Sequence, residues 1–290
     1  MENNEIFISS AVKGKYFIED RLKDLIAGGF KCIELSGGCV FQDDILDVLL
    51  DFKDRYDLKY RLHNYFPPPI DNFAFNLSAN DPEIITKSNR LFKSAVEFCQ
   101  ALNVNEFGIH AGFRQNLVAD DLGRVKSSPN LMSVNEATTN FEKNFKPLEQ
   151  FATENGVRLY VENNVLGQKN FKNFKAKNPL LLTSMRDLLP GSIFYQKNIL
   201  FDIAHLKVSC MTLGYDFEEE AKYFMKISDY LHISDNSGDE DTNEGVTTGG
   251  LIFRVLKKNS DLLKNKKITL EVYGDIAQTK KTEQIILGLL

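Results

Sequence analysis

Eight short apolar runs alternate without a break with eight longer helix-like stretches, and this alternation constrains the fold more than any other feature of the chain. The strand candidates are Glu5–Ser10, Cys32–Ser36, Lys59–Tyr65, Phe107–Ala111, Leu159–Asn163, Ile199–His205, Tyr230–Ser234 and Ile268–Tyr273. Between and after them lie helical candidates at Tyr16–Ala27, Asp43–Tyr56, Pro82–Leu102, Ser133–Asn155, Thr183–Leu189, Phe217–Ile227, Leu251–Leu263 and Thr279–Leu290. Strand-length apolar runs separated by amphipathic stretches point to parallel strands joined by crossover helices. Eight such units in 290 residues fit a single α/β domain, a (β/α)8 barrel spanning residues 1–290. An open doubly wound sheet is the alternative, since alternation alone does not prove closure. No linker or low-complexity tract divides the chain.

Local chemistry supports several boundaries. Gly28-Gly29 and Gly156 stand where C-terminal glycines end helices. Asn80-Asp81-Pro82 reads as a cap followed by proline in the first helical turn.

Hydrophobic residues make up 43% of the chain, enough for a sizeable core. The net charge of -5 supplies no global basic field to recruit nucleic acid or an anionic membrane, although a local basic groove stays compatible with it. The N-terminus, Met1-Glu2-Asn3-Asn4-Glu5, is acidic and polar, unlike a signal or transit peptide. No apolar run approaches the length of a membrane span. Cys32, Cys39, Cys99 and Cys210 lack CxxC spacing and read as reduced thiols, so a cytoplasmic location is expected.

Four of the apolar runs end on a potential metal ligand: Glu162, Asp202, His232 and Glu271. They lie roughly 30 to 40 residues apart, about one strand–helix unit each. At the carboxyl ends of parallel strands they converge on one rim, and three carboxylates with an imidazole can hold a divalent ion. All four histidines of the chain, His63, His110, His205 and His232, fall at strand-candidate ends. A single histidine there is usually structural, whereas four of four favour a site on the catalytic face of a barrel.

The ordered motifs resemble the xylose-isomerase-like TIM-barrel superfamily, which includes sugar isomerases, ketose 3-epimerases and endonuclease IV. The segments that carry the resemblance are Cys32–Gly38, Phe75–Ala79, Gly108–Gly112, Val161–Asn164, Phe201–His205, Leu231–Asp235 and Leu270–Val272. The resemblance implies metal ligation by Glu162, Asp202, His232 and Glu271, with Mn, Mg or Co usual for the sugar enzymes and Zn for the nuclease branch. It implies that Glu162 and Glu271 also move protons next to a carbonyl, and that His205 binds a substrate hydroxyl. His63 and His110 would then orient hydroxyls or bind a second metal.

Departures from the family patterns narrow the reading. The epimerases carry an acidic residue where this chain has Gln168, and an arginine where it has Gly238. These point away from a ketose 3-epimerase in the strict sense, toward an isomerase, an epimerase of another sugar or a dehydratase-like relative. The nuclease branch would use His63, His110 and Glu162 for one zinc, and Glu162, Asp202, His232 and Glu271 for a second. Its third zinc needs an Asp-x-His motif, where this chain reads Asp241-Thr242-Asn243. Asparagine is a poor zinc ligand. The acidic residues Asp239, Glu240, Asp241 and Glu244 would also repel a phosphodiester backbone.

Other stretches are less telling. Arg114 and Lys207 lie past strand ends and could meet a substrate carboxylate or phosphate, with plain solvation as the default reading. Glu34 either binds substrate or faces a charged partner inside the barrel. Gly245–Gly250 precedes a helix and is either a phosphate cradle or a flexible connection. The polar stretch 114–132 is a candidate lid. Gly167–Asn178, which interleaves lysines with phenylalanines, reads as a solvated loop with its aromatic rings tucked onto the barrel.

The resulting expectation is a metal-dependent isomerase or epimerase acting on a small-molecule sugar, with no nucleic-acid or membrane partner; a homo-oligomer is compatible with it. A zinc-dependent phosphodiesterase is the first alternative, and a non-catalytic binding barrel the second.

Overall fold

The computed structural model describes residues 5–117 and 130–290. Strands β1 (Ile6–Ser9), β2 (Cys32–Leu35), β3 (Lys59–His63), β4 (Glu106–His110), β5 (Arg158–Glu162), β6 (Ile199–Asp202), β7 (Tyr230–Ile233) and β8 (Lys267–Leu270) run parallel. They pair in chain order and close into a barrel, with Ile6 of β1 opposite Ile268 of β8. Closure excludes the open sheet.

Nine α-helices surround the barrel among the described residues: α1 (Ile18–Ala27), α2 (Ile45–Tyr56), α3 (Pro82–Ala101), α4 (Val134–Glu154), α5 (Gln168–Asn173), α6 (Ile203–Leu213), α7 (Phe217–Ile227), α8 (Leu251–Lys258) and α9 (Ile276–Leu287). No described helix is long and apolar enough to cross a membrane. The expected caps are in place: Asp81 accepts from the Glu83 amide at 2.8 Å, and Pro82 opens α3. Three expected elements differ. The sixth strand stops at Asp202, and α6 begins at once, so His205 sits in the first helical turn. Residues Ile203 to Cys210 are all buried, which leaves no polar face to betray a helix. The expected Thr183–Leu189 helix is a single 3-10 turn, Met185–Leu188, held by a Ser184/Asp187 capping box. The Lys/Phe-rich stretch contains the short helix α5, and Phe174 just beyond it is buried.

Period-two alternation sorts the strand residues into two sets. Outward residues such as Leu62, Phe107, Ile109, Val161, Phe201 and Leu231 join the helices in the main apolar core. The inward apolar cluster is small, formed by Tyr160, Leu200 and Tyr230. Most of the interior is polar instead. Toward the N-terminal end, Arg61 lies 2.7 Å from Glu106, donates to the Ile268 carbonyl at 3.2 Å and stacks 3.8 Å over the Phe7 ring. Lys267 closes on the other Glu106 oxygen. Further along the strands, toward their C-terminal ends, stand His63, His110, Glu162, Asp202, His232 and Glu271. The fold thus places a charged plug beneath the rim that carries the candidate site.

This plug is testable by removing its shared carboxylate. Glu106→Ala leaves the buried Arg61 guanidinium without its partner and is expected to cost about 3–5 kcal/mol. Urea denaturation monitored by circular dichroism reads the loss.

Candidate active site

Glu162, Asp202, His232 and Glu271 meet at the C-terminal mouth of the barrel, each offering one ligand atom within 4.8 Å of the others. They stand on β5, at the end of β6, on β7 and one residue past β8. All four are buried. Asp202 is also the N-cap of α6: its Oδ1 accepts from the His205 amide at 2.7 Å, which aims Oδ2 away from the helix. Asn163 clamps the Asp202 backbone, donating to its carbonyl (2.9 Å) and accepting from its amide (2.8 Å).

Glu162 is the centre of the cluster. Its Oε2 accepts from His63 Nε2 at 2.8 Å and lies 3.0 Å from His110 Nδ1. Its Oε1 lies 3.3 Å from His232 Nδ1, which is 3.2 Å from Glu271 Oε2. His63 can approach because β4 carries Gly108: a Cβ there would stand 2.8 Å from His63 Cδ2. Glu162 Oε1 and Asp202 Oδ2 are buried without a hydrogen-bond partner, as expected for oxygens facing a bound ion. Three carboxylate oxygens and one imidazole nitrogen suit a divalent cation of the Mn, Mg, Co or Zn type, so the donor set fits the ion that the sequence implies.

Above the cluster lies a cavity of about 370 Å³. His63, His110, His205, Asp241, Glu271 and Tyr273 line its polar side, facing Tyr65, Phe113, Phe174 and Leu180. Five of the expected residues therefore converge on the cavity or its floor with Asp202 and His232 behind them. Glu162 itself is fully buried beneath His63 and His110. His205 Nδ1 lies 2.9 Å from the Asn163 carbonyl, and its Nε2 lies 3.2 Å from Asp241 Oδ2.

Arg114 is placed otherwise. Its guanidinium is spent on the backbone carbonyls of Met132 (3.0 and 2.8 Å) and Asn178, and it does not line the cavity. It ties two loops together. Residues 118–129 of the candidate lid lie outside the described residues. Lys207 is neither solvated nor free for substrate: it is buried against Asp235 at 2.7 Å. The other Asp235 oxygen faces Gly250, which places a carboxylate where a phosphate cradle would need amides. Gly238 has φ +97, a conformation that disfavours arginine there. All four cysteines are free, and burial pushes the Cys39, Cys99 and Cys210 thiols up to about 12.

Tyr273 carried no signal in the sequence, and Asp241 and Glu34 were visible there without their partners. Tyr273 lines the cavity and donates to Glu271 Oε1 at 3.1 Å. Asp241 pairs with His205, and Asn243 donates to Asp241 Oδ2 at 3.0 Å through its amide nitrogen. Glu34, left open between two roles, stands behind His232 at 2.9 Å. A carboxylate on the second inward tier of β2 was visible as such; its target was not.

Residues 22–283 match the family model of the xylose isomerase-like TIM barrel. The chain belongs to that family. Solved structures with the same fold include a D-tagatose 3-epimerase-like protein (TM-score 0.71, 16% identity, 98% of this chain and 96% of that one). Others are the 3-keto-D-glucoside 4-epimerase YcjR from E. coli (0.64, 12%, 98% and 98%) and the TTHB071 protein from Thermus thermophilus soaked with ZnCl2 (0.58, 15%, 98% and 97%). At these identities the likeness establishes the fold. No curated protein matches the sequence.

The xylose isomerase-like cluster has a distinctive electrostatic state. Burial opposes charge on His232, yet the neighbouring carboxylates Glu34, Glu162 and Glu271 raise it well above an ordinary histidine. His205 is raised likewise against burial, by Asp202 and Asp241, and His63 by Glu162. Burial instead lowers His110 to about 4. Burial favours neutral Glu162, but His63 and its other histidine neighbours hold it well below the carboxylate range. Asp202 is pushed up to about 7 by burial; His205 opposes, while Glu162, Asp241 and Glu271 add.

These directions set a pH signature. Asp202, His63, His205 and His232 bind protons more tightly folded than unfolded, so their stabilisation fades as pH rises through their folded values; His110 alone of the histidines opposes. Metal-stripped protein should therefore melt lower at about pH 8 than at about pH 6, while the Tm gain on adding Mn²⁺ should grow over that range as protons are displaced. Scanning calorimetry checks both slopes, and Asp202→Asn should flatten them.

Proposed function

We propose that this barrel is a metal-dependent isomerase or epimerase of a small sugar or sugar derivative, acting by carboxylate-mediated proton transfer next to a carbonyl. The observation that carries the reading is the ligand cluster of Glu162, Asp202, His232 and Glu271 set directly under a cavity into which Glu271 projects. A bound divalent cation would polarise adjacent carbonyl and hydroxyl oxygens and acidify the neighbouring C–H.

The chain's own residues divide the remaining work. Glu271 faces the cavity and takes the proton, with the Tyr273 hydroxyl holding its Oε1. Glu162 is the second acid/base group of the proposal, and it reaches the cavity through His63 and His110, which both meet its Oε2. His205, fixed by Asn163 and Asp241, orients a substrate hydroxyl. The apolar wall of Tyr65, Phe113, Phe174 and Leu180 excludes water from the transfer. The epimerases among the fold's neighbours agree with this reading.

A second reading, a two-zinc phosphodiesterase, draws on one observation. His63 and His110 both converge on Glu162 Oε2, and His63, Glu162 and His232 form a further potential ligand group. Against it, the Asn243 amide nitrogen points at Asp241, so this corner offers a donor where a third zinc needs a ligand.

Proton exchange separates the two. Wild-type protein at saturating Mn²⁺ in D₂O, given a panel of aldoses and ketoses, should wash deuterium into the carbon beside the carbonyl of its substrate, as read by NMR. Glu271→Gln, also at saturating Mn²⁺, should slow that exchange by about 10²–10⁴-fold. Absence of exchange with every sugar, together with two zincs per chain and hydrolysis of a phosphodiester, would replace this reading with the second.

A further inference from the structure

Glu34 lies behind the ligand cluster, on the side of His232 away from the cavity. It is fully buried, as are His232 and Thr269, and Tyr230 is 1% exposed. Its Oε2 accepts from the Thr269 hydroxyl at 2.7 Å and from the Tyr230 hydroxyl. Its Oε1 lies 2.9 Å from His232 Nε2, an ion-pair contact rather than an aligned hydrogen bond, and neither of these two buried atoms has a hydrogen-bond partner among the described residues. On its other edge, His232 presents Nδ1 to Glu162 and Glu271.

We propose that Glu34, itself set by Thr269 and Tyr230, is a positioning residue that keeps the proton of His232 on Nε2 and so leaves Nδ1 as the nitrogen available to a divalent cation. The physical argument is one of exclusive pairing. Two hydroxyl donors occupy Oε2, which leaves Oε1 to a single neighbour. A carboxylate carries no proton to donate at neutral pH, so without a cation both nitrogens of His232 face acceptors; a cation that takes Glu162 and Glu271 displaces the Nδ1 proton, whereas Glu34, out of its reach, keeps the one on Nε2. An imidazole with its proton held on one nitrogen has its lone pair on the other, and a carboxylate behind the ring makes that lone pair more basic. A buried carboxylate is costly unless paired. Glu34 has no opening to solvent or to the cavity, so the pairing with His232 accounts for its presence in the barrel.

This inference rests on the cation site of the proposed function, and the test keeps the two apart. Metal-stripped wild type, Glu34→Gln, Glu34→Leu and Thr269→Val are titrated with Mn²⁺ by calorimetry, with circular dichroism and thermal melts reporting the fold. Glu34→Gln, nearly isosteric, should weaken Mn²⁺ about 10-fold and Glu34→Leu about 100-fold. Thr269→Val, which removes one of the two donors to Oε2, should weaken it by less than Glu34→Gln does. Histidine-selective ¹⁵N spectra of the diamagnetic Zn²⁺ form should show His232 as the Nε2–H tautomer in wild type and a tautomer mixture in Glu34→Leu. A purely structural role would lower Tm without moving either readout. Folded Glu34→Gln with wild-type Mn²⁺ affinity and an unchanged His232 tautomer overturns the role of Glu34 while leaving the cation site standing. Wild type that takes up neither Mn²⁺ nor Zn²⁺ overturns the site and this inference together. If Glu34→Leu does not fold, Glu34→Gln and Thr269→Val decide the matter.

Discussion

A carboxylate buried without a positive charge or hydrogen-bond donors costs several kcal/mol, and this barrel buries four of them around one point. Glu34, Glu162, Asp202 and Glu271 crowd the C-terminal mouth, and His232 touches or approaches three of them. Everything else about the site follows from satisfying that concentration of negative charge. In the metal-free protein protons do so, raising His232 and His205 and pushing Asp202 up to about 7. A divalent ion would do so more completely, because it could meet Glu162 Oε1 and Asp202 Oδ2, two buried oxygens without an aligned hydrogen-bond partner.

The rest of the barrel is arranged to make that concentration tolerable. The apolar core lies outside the strands, between sheet and helices, while the interior is built from polar tiers. The lower tier is self-contained: Arg61 and Lys267 share Glu106. The upper tier is open to the cavity. Between them, Tyr230 and Thr269 hold Glu34. Charge near the N-terminal end is thus neutralised by the chain itself, and at the Glu162–Asp202–His232–Glu271 cluster the proposed cation would complete the neutralisation.

Much of this was legible in the sequence. Eight units in strict order announced the barrel, and Glu162, Asp202, His232 and Glu271 announced the rim because each ends an apolar run. The same runs hid the interior. Lys59-Tyr60-Arg61-Leu62-His63 and Lys267-Ile268-Thr269-Leu270-Glu271 alternate polar and apolar residues, and the inward positions of that alternation are the polar tiers. Helix α6 has no polar face over Ile203 to Cys210, so the sequence extends the strand through His205, whereas the His205 amide meets Asp202 Oδ1 only in a helical turn. Arg114 and Lys207 show the opposite failure. Their positions past strand ends left them to solvent or a substrate anion, but carbonyls from distant loops and the Asp235 carboxylate, brought close only by folding, claim them. Tyr273 and Asp241 depend on the same kind of long-range meeting, with Asn243 anchoring both through its carbonyl and its amide.

The most direct test of the account is where a cation sits. Crystals of the metal-stripped protein soaked in Mn²⁺ and measured for anomalous scattering should show a peak bounded by Glu162, Asp202, Glu271 and the Nδ1 edge of His232. A saturated crystal with no peak there, and with those carboxylates still paired to protonated histidines, would contradict it.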